Sequence, residues 1–160
     1  MSTPVKGGIL LGVLTVLWTF VLGFTGWYKD PVMLNLFWLV ILIQLGLMIW
    51  ALRKTGAAGA SYGKQLLNGL ILSVVGAVII FFGSLLFTTV VFPNYFEELR
   101  AAHAEILRQS GQSEEAIAKT VAEGAAMQTP IMQAISGVLG TIATGLVFSI
   151  ILGVFFRKKN

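Results

Sequence analysis

The sequence predicts an all-α integral membrane protein: a four-helix bundle carrying a two-helix hairpin on its extracytoplasmic side. Three observations carry that reading. The chain is strongly apolar, with a mean hydropathy of +0.86 and 11% charged residues, where a soluble domain has about 25%. The apolar residues form four continuous blocks rather than alternating runs, which fits spanning helices and not a barrel. Finally, charge is segregated: six of the seven acidic residues lie in the single long polar segment, residues 93–130. At this length one membrane domain, 1–160, is expected.

The first span is expected at about 7–28, after Lys6 and ending on the interface pair Trp27-Tyr28. It is longer than a signal-peptide core and no A-x-A site follows, so it reads as a retained span. A stripe of Gly8, Gly12, Thr15, Thr19, Gly23 and Gly26 suits close helix approach. Lys29-Asp30-Pro31 leaves room only for an antiparallel neighbour, the second span at about 32–52. It holds one deep polar residue, Gln44, and closes on Trp50 and Arg53-Lys54. A Gly/Ala-rich loop leads to the third span, about 65–92, with a small face of Gly69, Ser73 and Ala77. At ~1.5 Å per residue it exceeds a ~30 Å hydrocarbon layer, so it tilts or projects. The fourth span, about 131–156, repeats Gly137, Thr141, Gly145, Ser149 and Gly153 every four residues, beside a second row of Ser136, Gly140 and Thr144. This small-xxx-small ridge predicts the most closely packed helix of the four.

Residues 93–130 read as two helices. Asn94 and Glu97 have capping-box spacing, and an apolar stripe of Tyr95, Leu99, Ala102 and Ile106 follows, with Phe96 and Leu107 beside it. Ser110-Gly111 is the stop, and Ser113 caps a second helix with Ile117, Val121 and Ala125 on its inner face. Glu115 and Lys119 have the favourable i,i+4 spacing. The hairpin is too small to hold a core of its own, and no cysteine is present to staple it. Its stripe, Tyr95, Leu99 and Ile106, is therefore expected to dock on protein: the chain's own spans or a neighbouring subunit. A lipid surface is disfavoured, because interfacial helices carry a basic polar face and this segment has six acids against three bases.

Lysine and arginine divide seven to four between the two sides of a four-span arrangement, which puts both termini in the cytoplasm. The pI near 9.6 does not imply nucleic acid, since the basic residues sit where orientation signals belong. Short motifs across nearly the whole chain resemble a family of small four-span bacterial membrane proteins of unknown function, of the Bacteroidetes type. They are Ser61-Tyr62-Gly63, Phe92-Pro93-Asn94-Tyr95, Ser113-Glu114-Glu115 and the basic ending after Phe156. The resemblance implies architecture and brings no activity, cofactor or site residue.

Chemistry is sparse. The span interiors hold no Asp, Glu, His, Lys or Arg, and proton-coupled transport ordinarily needs one. Gln44 and Asn68 read as interhelical hydrogen-bonding groups. His103 stands five residues from Glu98 and two from Glu105, and neither spacing shares a helix face, so no metal site is expected. The GAAGASYGK loop lacks phosphate-loop spacing because Gln65 follows Lys64. No catalytic, cofactor-binding or metal residue is expected. The functional expectation is a non-catalytic accessory, structural or assembly subunit of a larger complex in the bacterial inner membrane. Its partners are the lipid bilayer and other membrane subunits or further copies. The alternative is a small oligomeric pore or facilitator using the Ser/Thr/Gly row of the fourth span.

Overall fold

The computed structural model describes residues 1–125 and 127–158, and no strand occurs among them. The helices are α1 (Thr3–Thr25), α2 (Pro31–Leu34), α3 (Leu39–Ala57), α4 (Tyr62–Leu86), α5 (Tyr95–Gln109), α6 (Glu114–Ala125) and α7 (Pro130–Phe156). Four stretches are long and apolar enough to cross a membrane: Thr3–Thr25, Val32–Ala57, Tyr62–Val91 and Pro130–Phe156. Large apolar side chains such as Leu17, Phe24, Val78, Phe82, Leu139 and Phe155 lie exposed along them. That is the outward face a bilayer requires, and it marks the chain as a membrane protein.

Helix α1 stops at Thr25 because Gly26 takes a left-handed conformation (φ 72°) and its N–H bonds back to the Gly23 carbonyl. Trp27–Lys29 then forms a 3-10 turn. The Asp30 carboxylate caps the next helix by accepting from the Val32 and Met33 N–H groups at 2.8 and 3.1 Å. The second apolar stretch is not uniform: Asn35–Trp38 tightens to 3-10 geometry between α2 and α3. The Trp18 indole N–H of α1 donates to the Leu36 carbonyl in this segment (3.0 Å). Past α4, Phe87–Val91 forms a π-helical turn closed by the Phe92 N–H on the Phe87 carbonyl (2.8 Å).

Close contacts fix the helix directions. Gly8 lies against Leu72 and Val75, Gly12 against Gly76 and Ile79, and Gly23 against Phe87 and Phe92, so α1 and α4 run the same way. Gly137 faces Ile80, Gly145 faces Ser73 and Gly153 faces Tyr62, so α7 runs opposite to α4. Gln44 reaches Thr141, and Gly56 meets the end of α7 at Phe156, so α3 runs with α7. Lys6, Arg53, Lys54, Lys64 and Arg157 consequently gather at one end of the molecule. Helices α5 and α6 pack on each other at the opposite end. Their turn is Gly111, whose φ of 82° meets the predicted stop.

Three local expectations are corrected. Asn94 makes no side-chain cap: its φ/ψ of −90°/5° is not the extended geometry that aims a cap oxygen at the first N–H groups. Ser113 does cap, accepting from the Ala116 N–H at 3.3 Å. The Glu115–Lys119 pair is not among the ion pairs of the described residues; Arg108 instead joins Glu105 and Glu114 across the turn at 2.7 Å each. The helix most enclosed by others is not α7, since larger shares of α1 and α4 are buried. Helix α4 takes α1 on one side and α7 on the other, whereas α7 stands at an edge with Val147, Ile150, Ile151 and Val154 facing outward.

Candidate functional site

The predicted ridge on α7 divides into two halves. In the half toward the basic end, Gly145, Ser149 and Gly153 are buried. A Cβ at Gly145 would overlap Ser73 Oγ, and a Cβ at Gly69 would overlap Ser149 Oγ. The contact is reciprocal: each helix offers a glycine, and four residues later a serine that fills the facing glycine. Both serines are 0% exposed. Their hydroxyls are satisfied within their own helices, Ser73 donating to the Gly69 carbonyl (3.0 Å) and Ser149 to the Gly145 carbonyl (2.6 Å). In an apolar medium that satisfaction is obligatory. In the other half, Gly137 and Thr141 are only half-buried and border a cavity.

Gln65 ties the basic end together, and sequence reasoning passed over it as the opening residue of a span. It is 0% exposed. Its Nε2 donates to the carbonyls of Leu52 (2.8 Å) and Phe156 (2.7 Å), and its Oε1 lies 2.6 Å from the Thr55 hydroxyl. One amide thus joins α3, α4 and α7. The available signal was an uncharged polar residue followed by glycine four positions later, at Gly69. Gln44 plays a similar part higher up, donating to the Thr141 carbonyl at 2.8 Å. Asn68 Nδ2 lies 3.5 Å from Gln65 Oε1.

At the opposite end the base of α5 is latched to the spans. Tyr28 and Phe96 are buried, and Tyr95 stacks among Tyr28, Phe87 and Phe96 with ring centroids 5.0–5.2 Å apart. Glu98 receives the Tyr28 hydroxyl and pairs with Lys29 at 2.9 Å. Of the three predicted docking residues, Tyr95 therefore meets the chain's own spans, while Leu99 and Ile106 are half-buried farther along α5. His103 is exposed and belongs to no cluster of three metal-ligating side chains among the described residues.

The Tyr28 hydroxyl, and after it the Lys29 ammonium, hold the Glu98 carboxyl below the usual carboxylate range. A carboxyl whose folded pKa is depressed contributes stability above its unfolded value and loses it as pH falls through the folded one. The latch is thus expected to be intact at neutral pH and to open below the ordinary carboxylate range. Protection at the start of α5, the exchange rate taken relative to the intrinsic rate at each pH, should fall there. A Glu98→Gln variant should show the lower protection already at neutral pH; protection independent of both pH and Glu98 would exclude the latch.

Between these two tied ends lies a cavity of about 340 Å³ bounded by α1, α3, α4 and α7. Its polar lining residues are Thr15, Gln44, Gln133, Ser136, Thr141 and Thr144, and its large apolar ones Phe37, Trp38, Val40, Ile41 and Ile80. One to two turns nearer the basic end Leu11, Met48, Ala51 and Leu72 form a packed core cluster.

The model of a family described as protein of unknown function (DUF4199) matches residues 6–158. No curated protein and no solved structure matches the chain. The expected kinship with an uncharacterised family thus holds over almost the full length, and the chain belongs to the DUF4199 family.

Proposed function

We propose that the chain is a non-catalytic integral membrane protein serving as an accessory, structural or assembly subunit of a larger complex. In this reading it is a four-helix bundle in a bacterial inner membrane, with both termini cytoplasmic and the α5–α6 hairpin outside. The supporting observation is how charge is spent on the hairpin. Glu98, Glu105 and Glu114 are engaged internally by Lys29 and Arg108. Glu97, Glu115 and Glu123 are exposed and belong to none of the ion pairs among the described residues. One end of the hairpin is fixed to the spans; on the rest these three acids stand beside two likewise unpaired bases, Arg100 and Lys119, a net single negative charge, which suits a partner with a basic surface better than anionic headgroups.

Zero-length carboxylate–amine coupling in native membranes tests this. It should join the hairpin to one defined protein, or to a second copy. The adduct should vanish in high salt and in the variant Glu97→Lys, Glu115→Lys, Glu123→Lys. Only self-contained monomer after coupling would remove the subunit reading. Orientation is checked separately: Gln112→Cys should react with an impermeant thiol reagent on outer-membrane-permeabilised cells, and Ser2→Cys only after the cells are opened. The pore alternative draws support from Ser136, Gly140 and Thr144 bordering the cavity. A path through one copy meets the packed Leu11, Met48 and Leu72 below it, so conduction would need a path between copies.

A further inference from the structure

The cavity between α1, α3 and α7 carries polar groups that helix packing does not use. Thr15 is the sharpest case. It is 7% exposed, its Oγ1 has no hydrogen-bond partner, and it lines the cavity. Thr19, one turn along the same helix, bonds back to the Thr15 carbonyl at 3.0 Å as a hydroxyl in a membrane helix ordinarily does. Thr15 does not, and a buried hydroxyl without a partner is costly wherever water is absent. Gln133, Ser136 and Thr144 add further uncharged polar groups to the lining, beside Gln44, whose amide N–H is committed to the Thr141 carbonyl. Phe37, Trp38, Ile41 and Ile80 make the rest of the lining apolar and partly aromatic.

A second cavity of about 280 Å³ shares Phe37, Trp38 and Gln133 with the first and continues past Thr19 to Tyr28 and Tyr95 at the base of the hairpin. Together they make a space lined by both apolar and hydrogen-bonding side chains, of the size that small-molecule sites occupy. No residue lining either one is charged. An ion would therefore lose its hydration without gaining a counter-charge. Water alone is also a poor filling, since each buried water needs two to four polar partners and the Phe37–Trp38 wall offers few.

We propose that the two cavities form one binding site for an uncharged membrane lipid whose head bears a carbonyl or hydroxyl. The head bonds to Thr15 and its polar neighbours, and the hydrocarbon lies along Phe37 and Trp38. Glyceride esters and isoprenoid quinones both carry this chemistry. The site lies within one copy of the chain and needs no partner subunit.

The test uses the full chain in nanodiscs of phosphatidylethanolamine and phosphatidylglycerol, with a diazirine-bearing diacylglycerol as the probe. Photolysis should label the segments around Phe37–Ile41 and Gln133–Thr144. Excess dioleoylglycerol or a short-chain ubiquinone should compete, and whichever does so identifies the source; phosphatidic acid should not. A Cβ at Gly140 meets nothing within 4 Å, so Gly140→Leu should fill the space and abolish labelling with the melting temperature unchanged. Thr15→Val should weaken labelling about five- to tenfold, as for one lost hydrogen bond, and leave labelling by a purely hydrocarbon diazirine unchanged. The proposal is overturned by even labelling of outward residues such as Val147 and Phe155, by competition from neither neutral compound, by equal competition from phosphatidic acid, or by undiminished labelling in Gly140→Leu.

Discussion

Gly145→Leu is expected to prevent α7 from docking on α4. A single methyl at this position already overlaps Ser73 Oγ and comes within 3.0 Å of Gln44 Nε2. Neither neighbour can retreat freely. Ser73 is held by the Gly69 carbonyl, and Gln44 by the Thr141 carbonyl. Overpacking of a well-packed site costs ~1–3 kcal/mol; with serine and glycine interlocked on both helices, the upper end or beyond is expected. In mild detergent the variant should aggregate or melt well below the parent. Gly140→Leu, on the same helix but facing open space, is the matched control and should melt like the parent. Equal behaviour of the two variants would show that the α4–α7 contact does not hold the fold together.

Gln65→Leu is expected to loosen the basic end while leaving the hairpin end intact. The substitution strands the Phe156 carbonyl and takes one donor from the Leu52 carbonyl, which keeps the Thr55 hydroxyl; it also removes the acceptor beside Thr55. Leaving buried polar groups unpaired costs about 1–3 kcal/mol, and α7 loses its polar tie to α3 at that level. Hydrogen exchange should rise at the end of α7 and in the loop after α3, where the Lys158 N–H bonds the Ala60 carbonyl. Protection of Tyr95–Leu99 should not change. Gln65→Glu should be worse, since it adds a buried charge with no basic partner among its contacts. A wild-type melting profile for Gln65→Leu would show that close packing at Gly153 and Gly56 suffices there.

What could be read from the chain follows from what each feature depends on. Continuous runs of Leu, Ile, Val and Phe announce apolar helices, because that signal is local and repeated. The Ser110-Gly111 stop is likewise local, and so is the spacing that marked Gly145 and Ser149. The partners of Gln65 were illegible because they lie on two other helices, up to 91 positions away. The pairing of Tyr28 with Glu98 spans 70 positions and leaves no periodic trace. The 3-10 break at Asn35–Trp38 has no glycine or proline within it; a tryptophan from α1 reaches one of its carbonyls from outside the segment. The cavity was unreadable for a related reason. The Ser136–Gly140–Thr144 row is visible in sequence, but whether a small-residue row meets a neighbour or an empty space depends on how far the adjacent helices splay.

The π-helical turn at Phe87–Val91 sets the angular phase of everything beyond it. In a continuous α-helix, side chains five positions apart point about 140° away from each other. Here Phe87 and Phe92 have ring centroids only 4.7 Å apart, because the wider turn spends one extra residue on the same rotation. That residue brings Phe92 back over the α1 side, against Phe24 and Tyr28, and so decides the bearing on which α5 leaves. Chain length at this point is thus an instruction in its own right. The exposed Thr89 or Val90 could be exchanged for another helix-compatible residue with the hairpin still aimed as it is, whereas one residue fewer would swing it by about 100° and carry Glu98 out of reach of Lys29.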